Sequence, residues 1–209
     1  MLSAVIAGFI AAPAPTPATA AEAVRIVAIG DSLTAGYGLE QGTGFVPQLD
    51  AWLADQGVAA EVIDMGVSGD TTAGGKARLD WALADGADAV IIALGGNDLL
   101  RGIVPEASRA NLDDMMSRLD ARGLPVLLAG MQAPNNYGPA FKEAFDAMYP
   151  ELAETYGAIL HPSFLAGLES RPELIQPDGL HPSAEGVAVM VEAIGPRVLE
   201  LVARAGAPG

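Results

Sequence analysis

The sequence predicts an α/β fold, a three-layer α/β/α sandwich with a five-stranded parallel sheet of flavodoxin-like order 2-1-3-4-5. Apolar runs of strand length alternate with segments whose apolar residues recur at helical spacing. Three of the runs are continuously apolar, which is typical of parallel strands buried on both faces. The chain has 209 residues, of which 51% are hydrophobic and 18% charged, which suits one folded domain with a full core.

The first half of the chain predicts three strands and two helices. In order they are a strand over Val24–Gly30, a helix over Phe45–Gln56, a strand over Ala60–Val67, a helix over Thr71–Ala84 and a strand over Ala89–Gly95. The first helix places four large apolar residues at helical spacing, and a glycine follows it as a stop signal.

The second half predicts three helices and two strands. They are a helix over Glu106–Arg122, a strand over Pro125–Met131, a helix over Pro139–Tyr156, a weaker strand over Ala158–His161 and a helix over Ser183–Ala203. Glycines follow the first two helices, and a serine caps the start of the last. Strict alternation of strands and helices implies right-handed crossovers and helices on both faces of the sheet.

The N-terminus predicts an export signal over residues 1–20, followed by a single domain over 21–209. Leu2–Ala12 is apolar but too short to span a bilayer, and Ala18–Ala20 fits a small-x-small cleavage site. No Lys or Arg precedes the run, which departs from the usual pattern, so an uncleaved anchor or a disordered tail stays open. We expect a periplasmic or secreted protein whose mature chain does not insert stably into a membrane.

Charge and residue usage exclude several classes of function. The formal net charge of −15 disfavours nucleic acid and anionic membranes as partners. With no cysteine and two histidines, thiolate catalysis and disulfides are excluded and a zinc site is disfavoured. Asp31, Asp70 and Asp98 lie near strand ends, but Asp31 and Asp98 are better explained as acceptors that order loops. We therefore expect no metal and no cofactor, and no feature predicts an oligomeric state.

Polar residues follow three of the predicted strands. Ser32, Gly69 and Asn97 come shortly after the first, second and third strands, so they meet at the carboxyl edge of the sheet. Taken alone, each has an ordinary explanation. Asp31 and Ser32 suit a helix cap, Gly69 suits a tight turn, and Asn97 suits another cap.

A serine nucleophile needs a base, and histidine is the usual one at neutral pH. His181 lies three residues after Asp178 on a loop rich in proline and glycine, so the carboxylate can reach its ring and fix the tautomer. His161 has no acid nearby in sequence, and we interpret it as structural. On its own, His181 is also explained by a structural role.

Four short sequence motifs taken together point to a function more specifically than any of these residues alone. "GDSLTAG", "GVSGDTT", "GGNDLL" and "DGLHP" occur in this order, and the chain resembles the GDSL or SGNH hydrolase family from about Val24 to Val202. The stretches "ALGGNDLLRG", "MQAPNNYG" and "FKEAFDAMYPELAETYG" are similar to its bacterial thioesterase I, lysophospholipase and arylesterase subgroup. The resemblance implies a metal-free esterase or thioesterase that acts on a small-molecule ester.

The resemblance also implies roles for five residues. Ser32 would be the nucleophile, and His181 and Asp178 would be its base and acid. The N–H groups of Ser32 and Gly69 and the side-chain amide of Asn97 would form the oxyanion hole. The flanking residues do not fit G-x-S-x-G, so this is not the nucleophile elbow of α/β-hydrolases.

Substrate contacts and other functions stay open. Five residues of the cleft loops are candidates to contact an acyl chain, with ordinary loop packing as the alternative: Leu99, Met131, Pro134, Tyr137 and Ile175. Alternative functions are a carbohydrate acetylesterase of the same family and a non-catalytic binding protein. A nucleotide-binding flavodoxin-like module is disfavoured, because neither G-x-G-x-x-G nor a P-loop lysine occurs.

Overall fold

Five parallel strands form the centre of the molecule. The computed structural model describes residues 23–206, and the predicted export signal, residues 1–20, lies outside them. The strands are β1 Val24–Gly30, β2 Ala60–Gly66, β3 Ala89–Ala93, β4 Val126–Ala129 and β5 Ile159–His161. They pair in parallel in the order β2-β1-β3-β4-β5, so the predicted order 2-1-3-4-5 is confirmed.

Helices cover both faces of this sheet. They are α1 Ser32–Ala35, α2 Phe45–Asp55, α3 Thr72–Ala82, α4 Gly96–Leu100, α5 Pro105–Asp120, α6 Pro139–Thr155 and α7 Ala184–Ala205. Helix α2 packs on α7, whereas α5 packs on both α3 and α6, which gives the two outer layers. Within residues 23–206, none of the helices combines the length and the hydropathy needed to span a bilayer.

Burial of the strands follows their place in the sheet. Every residue of β3 and β4 is buried, as the continuous apolar runs predict for strands flanked by helix layers. Strand β2 lies at an edge, and only Val62 of its seven residues is buried. On the helix layer beside it, Gly195 of α7 lies against the Trp52 ring of α2. A Cβ at Gly195 would lie 2.6 Å from that ring, so this position requires a glycine.

Two short helices and the bounds of four strands differ from the sequence prediction. Strand β2 ends one residue and β3 two residues before the predicted end. Helices α1 and α4 were not predicted, because four or five residues are too few to produce a helical period. Strands β4 and β5 are shorter than predicted. Beyond β4, Gly130 leaves the ladder but stays hydrogen-bonded, since its N–H donates to His161 O at 2.8 Å and its C=O accepts from Phe164 N at 2.8 Å.

His161 is a buried histidine at the end of β5. It is 5% exposed, and its Nε2 has no hydrogen-bond partner in the described part of the chain. Burial lowers the pKa of the imidazole below its ordinary value, and the positive charge of Arg197 acts in the same direction against a weaker opposing contact with the Ser163 backbone. The folded protein therefore favours the neutral ring.

This burial predicts acid-sensitive stability. The unfolded chain takes up a proton at an ordinary histidine pKa of about 6.5, before the folded chain does, so the free energy of unfolding falls as the pH falls through that range. His161→Gln should lose less stability than the wild type between neutral and mildly acidic pH, measured by denaturant unfolding. Parallel stability curves for the two proteins would contradict this assignment.

Candidate active site

Three of the five residues predicted for the triad and the oxyanion hole border one pocket at the carboxyl edge of the sheet. Ser32, Asn97 and His181 all line it. Ser32 begins α1 directly after β1, and Asn97 lies in the first turn of α4 after β3. Asp178 joins them through His181, whereas Gly69 lies outside the lining of this pocket. The structure therefore brings Ser32 and Asn97 together at the carboxyl edge of the sheet, as expected for residues that follow parallel strands, and places His181 beside them.

Ser32, His181 and Asp178 form a continuous hydrogen-bonded chain. Ser32 Oγ lies 2.9 Å from His181 Nε2, and His181 Nδ1 lies 2.6 Å from Asp178 Oδ2. With a proton on Nδ1, the carboxylate accepts from the ring and Nε2 is free to accept the proton of the serine hydroxyl. The arrangement has the geometry that activates a hydroxyl as a nucleophile.

The loop that carries the histidine is ordered by Asp178 itself. Asp178 Oδ1 accepts from the backbone N–H of Leu180 at 2.9 Å and of His181 at 3.0 Å, while Oδ2 faces the imidazole. The contact with the His181 side chain, followed by these two N–H groups, lowers the pKa of the Asp178 carboxyl to about 2. The group is therefore ionised throughout the pH range in which a histidine base operates.

Gln176 ties this loop to the nucleophile's side of the site. Its Nε2 donates to Tyr37 O at 2.8 Å and to Pro182 O at 2.9 Å, and its backbone N–H donates to His181 O at 2.7 Å. Tyr37 lies just beyond α1, so one side chain joins the segments that hold Ser32 and His181. The sequence analysis missed Gln176, since a glutamine two residues before an aspartate carries no specific signal.

The oxyanion-hole candidates include two free N–H groups. Within residues 23–206, neither the N–H of Ser32 nor that of Gly69 has a hydrogen-bond acceptor. Gly69 adopts a positive φ of 86°, which favours glycine, and its C=O accepts from Arg101 Nη2 at 2.7 Å. Asn97 Nδ2 donates to Asp31 Oδ2 at 3.0 Å, which leaves its second amide hydrogen for another acceptor.

Asp31 orients the Asn97 amide and caps the helix that begins at Ser32. It is only 2% exposed, caps α1 by accepting from Leu33 N at 3.0 Å, and accepts from the Asn97 amide with its other oxygen. Burial raises the pKa of the Asp31 carboxyl, while the Leu33 N–H, the Asn97 amide and the charge of His181 oppose the rise. Its role as a loop-ordering acceptor is as the sequence analysis expected.

Asp98 connects the start of α4, which carries Asn97, to the start of α3, which follows Gly69. This fully buried carboxylate accepts from Thr72 N at 2.8 Å, from Thr72 Oγ1 at 2.6 Å and from Ser108 Oγ at 2.7 Å. Thr72 begins α3 three residues after Gly69, and Asp98 follows Asn97 directly. Asp70 instead pairs with Arg78 at 2.6 Å. Each of the three acidic residues considered as metal ligands is thus held by its own protein donors.

The pocket beside Ser32 has a mostly apolar wall. Its volume is about 460 Å³, within the usual range for small-molecule sites. All five predicted substrate-contact residues line it: Leu99, Met131, Pro134, Tyr137 and Ile175. The Tyr137 hydroxyl donates to the Leu99 carbonyl, which links two sides of the wall.

Further apolar residues complete the wall. The sequence analysis missed five of them: Leu33, Leu100, Leu165, Leu168 and Leu180. Leu180 stands directly before His181, and Leu165 and Leu168 follow β5, so the same strand-edge rule would have pointed to them. With Gln132, Ser163 and Glu169 as the polar exceptions away from the triad, the wall suits an apolar group attached to the carbonyl at Ser32.

Comparison with known proteins gives the same classification. Residues 28–189 match the GDSL-like lipase/acylhydrolase family. The chain is 40% identical to esterase TesA of Pseudomonas aeruginosa (87% of this chain, 91% of the relative) and 32% identical to thioesterase 1/protease 1/lysophospholipase L1 of Escherichia coli (88% and 87%). The crystal structure of AlinE4, an SGNH-hydrolase family esterase, aligns with a TM-score of 0.74 at 44% identity (87% and 98%). The chain therefore belongs to the GDSL-like lipase/acylhydrolase family.

Proposed function

We propose that the protein is a serine esterase that hydrolyses carboxylic esters through a covalent acyl-enzyme, with Ser32, His181 and Asp178 as its catalytic triad. The observation that carries this proposal is the hydrogen-bonded chain from Ser32 Oγ through His181 to Asp178 Oδ2, at 2.9 and 2.6 Å, beside an apolar pocket. Membership of the acylhydrolase family and the esterases among its relatives support it.

Acylation begins with proton transfer. His181 Nε2 takes the hydroxyl proton as Ser32 Oγ bonds to the ester carbonyl carbon, and Asp178 stabilises the imidazolium. Negative charge moves to the carbonyl oxygen, where the N–H groups of Ser32 and Gly69 and the Asn97 amide donate to it. The bond to the leaving group then breaks, and His181 Nε2 gives that group the proton.

Deacylation repeats these steps with water. His181 removes a proton from water as its oxygen bonds to the acyl carbon, and the same donors receive the second oxyanion. The bond to Ser32 Oγ breaks, the serine regains its proton from His181, and the carboxylic acid leaves. Every proton and electron pair is accounted for by the triad, the ester and water.

The apolar pocket favours an acyl chain over a polar sugar. Aryl and alkyl esters, acyl thioesters and lysophospholipids all place an apolar acyl group beside the scissile carbonyl, and the name of the E. coli relative includes thioesterase and lysophospholipase. A carbohydrate acetylesterase would require many hydrogen-bonding groups around the pocket, whereas most side chains of this wall away from the triad and Asn97 are apolar, six of them leucines. A non-catalytic binding protein would have no need of an aligned triad.

The proposal also covers the export of the chain and its division into a signal and one domain. We propose that residues 1–20 direct the chain to the periplasm or the exterior and that 21–209 form one catalytic domain. The expected partner is a small-molecule ester or thioester.

An Asn97→Ala variant tests the function and the oxyanion hole together. We expect the wild type to hydrolyse p-nitrophenyl esters of increasing acyl length, and an acyl-CoA if thioesters are substrates. Removing one oxyanion donor should lower kcat by about 10²–10³-fold with a smaller change in KM. Steady-state kinetics on both proteins measure this.

Stability must be measured beside activity, because Asn97→Ala also removes a donor from the buried Asp31 carboxylate. Thermal unfolding shows whether the variant is folded at the assay temperature. An unchanged kcat in folded protein would remove Asn97 from the site. A folded wild type that hydrolysed only acetylated sugars would favour the acetylesterase alternative.

A further inference from the structure

Tyr37 places an exposed aromatic ring beside the catalytic base. Its ring centroid lies 4.7 Å from that of His181 with an angle of 39° between the planes, and the residue is 54% exposed. It is not part of the apolar pocket, although His181 is. The two rings therefore extend the site beyond that pocket.

The backbone of Tyr37 is fixed to both halves of the triad. Its N–H donates to Ser32 O at 3.0 Å, and its C=O accepts from Gln176 Nε2 at 2.8 Å. Gln176 in turn binds the backbone of His181. The ring thus stands at a position set by the nucleophile and the base together, which distinguishes it from an unanchored surface side chain.

The reaction places the leaving group beside the His181 ring, which Tyr37 contacts. When the acyl chain fills the pocket, the leaving-group atom must lie within reach of His181 Nε2, which protonates it, and must extend out of the pocket. Tyr37 is the exposed ring that contacts the imidazole there. We propose that Tyr37 is a leaving-group subsite that stacks on aromatic leaving groups, so that the enzyme favours aryl over alkyl esters. This inference rests on the proposed function.

A pair of esters with one acyl group tests the subsite. Phenyl butyrate and ethyl butyrate form the same butyryl-enzyme, so the ratio of their kcat/KM values depends on the leaving group alone. We expect Tyr37→Ala to lower the phenyl-to-ethyl ratio by about three- to tenfold, the scale of one aromatic contact. Tyr37→Phe is the matched control, because it keeps the ring, and it should retain the wild-type ratio.

The direction in which Tyr37→Ala changes the phenyl-to-ethyl ratio shows whether Tyr37 binds the leaving group or only positions His181. If Tyr37 only held His181 in place, its removal would harm ethyl butyrate more, because an alkoxide is the poorer leaving group and depends more on protonation. The ratio would then rise, and a rise or an unchanged ratio would overturn the proposal. Failure of the proposed function is distinct, since the wild type would then hydrolyse neither ester.

Discussion

Ser32→Ala should lower kcat/KM for a p-nitrophenyl ester by about 10⁴–10⁶-fold, the scale measured when a triad nucleophile is removed. The hydroxyl is the only reacting atom that the enzyme contributes to the acyl-enzyme, and its removal would leave His181 Nε2 without the group that it now contacts at 2.9 Å. Residual activity would come from the oxyanion donors and substrate binding alone. Initial rates at limiting substrate measure the loss.

Ser117→Ala provides the matched control for this change. Ser117 is exposed on α5, so the same loss of a hydroxyl should leave the rate unchanged. A serine-directed organophosphonate should label the wild type and Ser117→Ala at Ser32, and should leave Ser32→Ala unlabelled. Equal esterase activity in wild type and Ser32→Ala would refute the assignment of the nucleophile.

Asp178→Asn should lower kcat/KM by about 10³–10⁴-fold while the protein stays folded. The two backbone N–H groups of Leu180 and His181 hold Oδ1, and an asparagine can satisfy them only with its single oxygen. Its NH₂ group must then face His181 Nδ1, where Oδ2 now lies at 2.6 Å. The ring would accept at Nδ1 and carry its proton on Nε2, which could no longer take the proton of Ser32.

An exposed aspartate elsewhere controls for the charge. Asp55→Asn at the end of α2 makes the same chemical change and should not alter the rate. Kinetics should be paired with an NMR measurement of the histidine tautomer. If Asp178→Asn kept more than about a tenth of the wild-type kcat/KM, orientation of the imidazole by Asp178 would not be a main contribution to catalysis.

The fold was predictable because burial leaves a strong pattern. Strands β3 and β4 are buried along their whole length, and their continuous apolar runs predicted a parallel sheet. Five strands alternating with helices predicted the strand order. The short helices α1 and α4 left no comparable pattern. Helix α1 is capped locally by Asp31, which accepts from Leu33 N, whereas α4 has no side-chain cap and is held by contacts of Asn97 and Asp98 with other segments.

The site was predictable where chemistry restricts the residue type. A serine, an aspartate and a histidine in family blocks, and apolar residues on the cleft loops, could be named in advance, and the structure brings the triad and the pocket together. The residues that support the triad through other contacts could not be named from the sequence. Gln176 acts through backbone carbonyls, one of them that of Tyr37, 139 residues away, and Tyr37 contacts His181 only because the loops converge.

Because the nucleophile and the base are far apart in sequence, activity depends on completed synthesis and folding of the chain. Ser32 follows the first strand and His181 precedes the last helix, 149 residues later, so the two meet only when the whole sheet has formed. Such long-range closure comes late in folding. A chain still emerging from the ribosome would therefore carry Ser32 before Asp178 and His181 exist, and a complete but unfolded chain would hold all three residues apart, so neither would hydrolyse the esters around it.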